Sequence, residues 1–207
     1  MSDSAPKPDG RAARSRASRT RVARAATGLF IAGGYAGTSV GAIAKAAGVS
    51  EQSVYYLFGT KRAVLVAALD QAIAGDDEPI PTLQRDWVHD AVADPDPHGQ
   101  IERQVAGVGE VLRRAAPLLD IVRNASTDPE LAEVCATTIG HHQEVQRFFA
   151  EALAAKTALR CAVDAAADTA VALLSPETYL LLVDHLGWSH DRWCRWAVDC
   201  LTRTVID

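Results

Sequence analysis

Side chains that form directed hydrogen bonds are concentrated in one stretch, S-V-G-A-I-A-K-A-A-G-V-S-E-Q-S-V-Y-Y-L-F-G-T-K, residues 39–61. Six consecutive positions hold a carboxylate, an amide, a hydroxyl and two phenols: Glu51, Gln52, Ser53, Tyr55 and Tyr56. These are groups that bond to base edges and phosphates. This stretch is therefore suited to recognising a partner through hydrogen bonds.

Two short helices are predicted to carry these side chains. Thr38 or Ser39 can cap the first helix by accepting a bond from a free backbone N–H, and Ser50 can cap the second. Gly48 suits the left-handed position that ends the first helix, and Gly59 ends the second. Two short helices joined by a glycine-containing turn indicate a helix-turn-helix unit.

The preceding helix must supply a packing surface, because short helices are not stable alone in water. Its apolar residues follow helical spacing: Val22, Ala25, Ala26, Leu29 and Phe30. We expect this helix to run from about residue 16 to the Gly33–Gly34 pair, and a further helix to cover 61–74.

The remainder of the chain also shows helical patterning, and no alternating apolar run indicates a sheet. The fold class predicted is therefore all-α. Residues 75–81, G-D-D-E-P-I-P, break the pattern and mark a domain boundary. The domains predicted are a disordered basic arm over 1–15, a DNA-binding domain over 16–75 and a regulatory domain over 76–207. Helices are expected at 82–93, 98–115, 117–125, 129–157, 161–174, 176–187 and 190–205.

Charge is divided unevenly along the chain. Residues 1–62 hold ten Lys/Arg and three Asp/Glu, a net +7, whereas residues 63–207 have a net charge of −12. A basic first third favours a polyanionic partner for that part only. The alternative is a solvated basic tail, because six of the basic residues lie between Arg11 and Arg24.

The sequence gives little support for a metal-binding protein, an enzyme, a membrane protein or a secreted protein. Cys135, Cys161, Cys194 and Cys200 have no metal-binding spacing and are interpreted as reduced thiols of an intracellular protein. Residues 82–207 lack a nucleophile elbow and a phosphate-binding glycine loop. No apolar run has the length of a membrane span, and no signal peptide is apparent. We expect a cytoplasmic protein that is not an enzyme and holds no cofactor or metal.

The chain resembles the TetR family of transcriptional regulators. The resemblance is carried by L-F-I-A-G-G-Y-A-G-T-S-V-G-A-I-A-K-A-A-G-V-S followed by E-Q-S-V-Y-Y-L-F-G-T-K-R-A-V-L, residues 29–65. The later run A-A-D-T-A-V-A-L-L-S-P-E-T-Y-L-L-L-V-D-H-L-G-W-S also looks like segments of that family. The chain departs from the usual family pattern at residues 51–54, E-Q-S-V, where many members have Gly or Pro before Thr. This difference affects which DNA sequence, or operator, the protein is expected to bind.

The resemblance implies that residues 51–56 form a recognition helix in the major groove. Gln52 can pair with adenine and Glu51 can accept from cytosine. Hydroxyl groups and one ammonium are expected to contact base edges or phosphates: Thr38, Ser39, Ser50, Ser53, Tyr55, Tyr56 and Lys61. Each of these roles has an alternative. Tyr55 can be a core residue, and Glu51 can be a charge that favours the helix dipole without contacting a base. Lys61 can be a surface charge, and Thr38, Ser39 and Ser50 can be helix caps alone. The N-terminal arginines can enter a minor groove or be solvated.

The resemblance also implies a homodimer formed by the last helices and a ligand cavity among the middle helices. Arg123 and Asp168 are candidate polar groups for that cavity, with an ordinary salt bridge or an exposed position as the alternative. The function expected is a repressor released from a palindromic operator by a small molecule. A transcriptional activator or an architectural DNA-binding protein is the alternative.

Overall fold

The computed structural model describes residues 10–76, 78 and 80–206, with side chains described from residue 14 onward. Its α-helices are α1 (Gly10–Gly37), α2 (Val40–Ala47), α3 (Glu51–Phe58), α4 (Lys61–Ala74), α5 (Asp86–Ala93), α6 (Pro97–Asn124), α7 (Pro129–Ala154), α8 (Val163–Leu173), α9 (Pro176–Leu180) and α10 (His190–Val205). A 3₁₀ turn covers Thr82–Gln84, and a π-helical turn, Leu181–His185, continues α9. The described residues form no sheet, which confirms the all-α prediction.

The chain divides into two compact units, one ending at Gln71 and the other beginning at Ala72. The expected boundary lay four residues later, at the break after residue 75. The difference arises because α4 continues through the division without interruption. The predicted arm over 1–15 is wrong in part, since α1 already begins at Gly10. Residues 1–9 lie outside the described residues.

The first unit is built on one face of α1. Val22, Ala26 and Phe30 are fully buried there, at the spacing of a helical stripe. α2 and α3 both contact α1. The backbone leaves helical geometry at Gly34, where φ is 67°, a value that glycine adopts without strain. The Gly33–Gly34 pair therefore ends the regular helix as predicted.

The second unit is organised around α6, which contacts α5, α7, α9 and α10. Its core combines side chains from α6, α7, α8 and α10, among them Val105, Leu153, Ala170 and Trp193. The predicted break near Pro117 is wrong, because α6 continues through this proline. The proline removes one helix hydrogen bond, yet the residues on both sides of it remain buried: Ala115, Ala116 and Leu118. Their burial favours a continuous helix.

One segment of the second unit, Val163–His185, is apolar and long enough to cross a membrane by composition alone, with a mean hydropathy of 1.2. The helix is interrupted inside this segment, where Ser175 caps α9 and Pro176 begins it. α8 also packs against α7 and α10. The segment is therefore interpreted as part of the core of the second unit and not as a membrane span.

His142, on α7, is a half-buried polar side chain in this unit. Its Nε2 atom is buried and has no hydrogen-bond partner among the described residues. Burial lowers the pKa of the imidazole below its ordinary 6.5, and the negative charge of Glu177 opposes that shift only in part. The neutral imidazole is thus the form that the folded chain favours.

This burial predicts a loss of stability in mild acid. Below about pH 6.5 the unfolded chain takes up a proton at His142 that the folded chain resists. The free energy of unfolding should therefore fall as the pH drops from 6.5 towards the lower, folded-state pKa, where this contribution levels off. Chemical denaturation at several pH values should show a shallower dependence for His142→Gln than for the wild type. The exposed His89 provides the control, and an identical slope in His142→Gln would contradict the prediction.

Candidate functional site

The turn between α2 and α3 is fixed by caps on both helices. Ser39 Oγ accepts a bond from Ala42 N–H at 3.1 Å, and Ser50 Oγ accepts one from Ser53 N–H at the same distance. Gly48 takes the left-handed conformation, with φ 65° and ψ 39°, and its N–H bonds back to α2. Local sequence thus dictates where each of these eight-residue helices begins, and where α2 ends.

Helix α3 has one buried face and one exposed face. Val54 is 1% exposed and anchors the helix to its unit. Tyr55 is 52% exposed and Tyr56 is 80% exposed, and the neighbouring Gln52 is also exposed. Two exposed phenols and an amide therefore share the outer face of an eight-residue helix, and the interpretation of Tyr55 as a core residue is wrong.

Thr38 does not present its side chain for DNA contact. It is 3% exposed, and its hydroxyl donates to Leu29 O at 3.0 Å or to Gly34 O at 2.8 Å. The cap of α2 is Ser39 alone. The structure thus assigns Thr38 to the closure of the α1–α2 loop, and we leave its hydroxyl out of the proposed interface.

The Lys61 ammonium is also bound within the first unit. Its Nζ donates to Tyr35 O at 2.9 Å and to Thr38 O at 3.1 Å, and it lies 4.2 Å from the centre of the Tyr35 ring. Lys61 therefore ties the start of α4 to the loop between α1 and α2. At most one of its three N–H groups remains for a phosphate.

Glu51 lies against the first turn of α2. Its carboxylate oxygen comes within 2.5 Å of the position that a Cβ atom on Gly41 would occupy, so this glycine leaves room for the acidic side chain. The N-terminal end of a helix carries partial positive charge, which favours a carboxylate there. The orientation supports the helix-dipole alternative for Glu51 more than a base contact.

The sequence did not reveal the role of Arg19. Its guanidinium donates to Leu57 O at the end of α3 and lies 4.4 Å from the centre of the Phe58 ring. Arg19 thus attaches α3 to α1. Helical spacing could not identify this contact, because the two partners are 38 residues apart in the chain.

The candidate ligand residues of the second unit take the positions of the stated alternatives, a salt bridge and an exposed position. Arg123 is exposed and pairs with Glu177, and Asp168 is exposed on α8 while Ala166 and Ala170 of the same helix are buried. Neither residue lines the cavity of this unit. Among the described residues, no group of His, Cys, Asp and Glu side chains could hold a metal ion.

The contacts of Lys61 predict that it stabilises the first unit. Lys61→Met removes two charge-assisted bonds to main-chain carbonyls and leaves Tyr35 O with only the long bond from Thr38 N–H, which should cost about 1–3 kcal/mol. Thermal denaturation should therefore show a lower melting temperature for Lys61→Met than for the wild type. The exposed Lys45 on α2 is the matched control, because Lys45→Met removes the same charge from the same unit. Equal stability of the two variants would contradict the structural role.

Comparisons with known proteins agree with this geometry. A family model described as bacterial regulatory proteins, tetR family, matches residues 23–68, which extend from α1 into α4. No curated protein matches the chain in sequence.

Solved structures match nearly the whole chain. NalD of Pseudomonas aeruginosa, the secondary repressor of the MexAB-OprM multidrug efflux pump, is 20% identical with a TM-score of 0.69; the match covers 93% of this chain and 98% of NalD. FadR of Bacillus subtilis, solved with stearoyl-CoA, is 14% identical with a TM-score of 0.68, over 88% and 96% of the two chains. A TetR regulator of Chloroflexus aurantiacus is 20% identical with a TM-score of 0.65, over 93% and 98%. Residues 23–68 thus match the tetR family of bacterial regulatory proteins over the helix-turn-helix, and the chain as a whole is similar in fold to solved TetR regulators.

Proposed function

We propose that this protein is a homodimeric, cytoplasmic repressor that binds a palindromic operator and leaves it when a small molecule binds the second unit. The observation that carries the proposal is the outer face of α3, where Gln52, Tyr55 and Tyr56 are exposed while Val54 anchors the helix from behind. Two adjacent phenol rings exposed on one face of a short helix are typical of an interaction surface.

Double-stranded DNA fits this face chemically. The Gln52 amide can donate to and accept from one adenine in the major groove. The hydroxyls of Tyr55 and Tyr56 can reach phosphates on either side of the groove. Ser39, Ser50 and Ser53 lie at the starts of α2 and α3, where their hydroxyls can donate to a phosphate.

Dimerisation is supported by apolar side chains exposed near the end of the second unit. Leu181 is 53% exposed and Leu186 is 60% exposed, on the turn that precedes α10. Exposed leucines so close together favour burial against a second surface. A palindromic operator follows from a two-fold dimer, because the half-sites mirror the symmetry of the protein.

Release by a small molecule is supported by the known proteins that share this fold. NalD is a repressor, and FadR was solved with stearoyl-CoA bound. The second unit of this chain contains a cavity among its core helices. An effector can release DNA only if it binds the non-operator state more tightly than the operator-bound state.

The recognition face makes a prediction about operator choice. Selection of DNA from a random pool should yield a palindromic consensus for the wild type. Gln52→Ala should lose discrimination at one base pair of each half-site, by about 1–3 kcal/mol, because a bidentate base contact is removed. The control is Lys45→Ala, which should leave the consensus unchanged. An unchanged consensus for Gln52→Ala would show that the recognition face is assigned wrongly.

The same selected DNA separates repression from its alternatives. Transcription in vitro from a promoter that contains the site should fall when the protein is added. A rise in transcription would indicate an activator. Scattered binding without a consensus would indicate an architectural protein.

The exposed leucines predict how the dimer can be broken. Introducing lysine at Leu181 and Leu186 together should give a monomer in sedimentation at micromolar concentration, since buried charges oppose association. Ile139 on α7 is also exposed, and Ile139→Lys is the matched control that should remain dimeric. A wild-type monomer would refute the dimer, and a dimer that survives both leucine changes would place its interface elsewhere.

A further inference from the structure

The second unit contains a cavity between α6, α7, α8 and α10. Its volume is about 20 Å³, which is about the room that one water molecule needs. Its walls include Gln104, Gln146, Phe149, Ala150, Ala166 and Leu201. The cavity is mostly apolar, and two amides are its polar groups.

The two amides form a buried pair. Gln104 Nε2 donates to Gln146 Oε1 at 2.7 Å, between α6 and α7. Gln104 is 4% exposed and Gln146 is fully buried. Gln146 Nε2 is also buried but has no hydrogen-bond partner among the described residues. A buried amide donor without an acceptor is unfavourable, so it needs an explanation in a native fold.

The neighbouring amide does not supply that acceptor. Gln100 Nε2 donates to Phe149 O at 2.9 Å and Gln100 Oε1 accepts from the Lys156 ammonium, and Gln146 Nε2 bonds to neither end of this side chain. The donor capacity of Gln146 Nε2 is therefore left for a molecule that enters the cavity. Since Gln146 lines the cavity wall, such a molecule can reach it.

The composition of the walls limits what this molecule can be. The lining side chains are apolar except for the two amides, and none of them is ionisable. A charged group would be buried there without an opposite charge, which is strongly unfavourable. The walls favour an uncharged, largely apolar body, and Gln146 favours one oxygen that accepts a hydrogen bond.

We propose that this cavity binds the effector, and that the effector is an uncharged, mainly apolar molecule whose carbonyl or similar oxygen accepts a bond from Gln146 Nε2. This inference rests on the proposed function and adds the chemistry of the ligand to it. The cavity is narrow, so a ligand larger than water must displace side chains between α7 and α8 when it binds. Binding of a ligand in this cavity is thereby coupled to the packing of the core of the second unit.

Two probes of nearly equal shape test the hydrogen bond. Acetophenone carries a carbonyl oxygen, and ethylbenzene has the same apolar body without that oxygen. We expect calorimetry on the full chain to show about tenfold tighter binding of acetophenone, the difference made by satisfying one buried donor. Acetophenone should also shift the side-chain NH₂ resonances of Gln146 in an NMR spectrum of the protein, whereas the charged 1-phenylethylammonium ion should not bind.

Two pairs of variants locate the site. Gln146→Leu should abolish the preference for acetophenone, while Gln143→Leu on the exposed side of α7 should retain it. Ala166→Leu should fill the cavity and weaken both probes at least tenfold, while Ala165→Leu on the exposed side of α8 should not. Because the two pairs alter different helices, a folding defect in one variant leaves the other pair to decide.

Any of three results would overturn this inference: no probe binds, both bind equally, or the preference persists in Gln146→Leu. The selection of operator DNA needs no probe and tests the proposed function separately. If the wild type selects an operator but shows no preference for acetophenone, the proposed ligand chemistry is wrong and the proposed function as a DNA-binding regulator still holds. If the probe preference appears without any operator, the proposed function fails and the cavity chemistry stands.

Discussion

The structure depends on hydrogen bonds to the backbone groups that have no partner at the ends of its helices. The last carbonyl groups of a helix have no partner inside the helix, and they carry partial negative charge. Among the described residues, cationic side chains from other parts of the chain reach such carbonyls at the ends of α1, α3, α4 and α10. The pairs are Lys61 with Tyr35 and Thr38, Arg19 with Leu57, Arg114 with Ala72 and Ile73, and Arg160 with Ile206.

These contacts at helix ends change how the basic charge of the first unit is interpreted. The net charge of +7 over residues 1–62 suggests a surface for a polyanion. Arg19 and Lys61 contribute to that total, yet both are bound to main-chain oxygens inside the unit. Arg19 holds α3 in place and Lys61 holds the loop between α1 and α2, which matters because helices of eight residues are not stable alone. Part of the basic charge therefore stabilises the first unit.

In the second unit the informative groups are polar side chains inside an apolar core. His142 and Gln146 lie one turn apart on α7, and each has a buried nitrogen without a partner. Such groups reduce stability, as the acid sensitivity expected of His142 illustrates. An unpaired buried group of this kind gains a hydrogen bond when a molecule that can accept one enters the core.

The sequence by itself determined the features that depend on near neighbours. Helical periodicity gave the all-α fold and the buried stripe of α1, and capping serines with Gly34 and Gly48 placed the helix ends, because these interactions span only a few residues. Only the tertiary structure decided the rest. The continuity of α6 through Pro117, the roles of Thr38 and Lys61, the exposure of Asp168 and the pairing of Gln104 with Gln146 all depend on residues far away in the chain. A pattern of residue types does not encode such partners, because burial and distance exist only after packing.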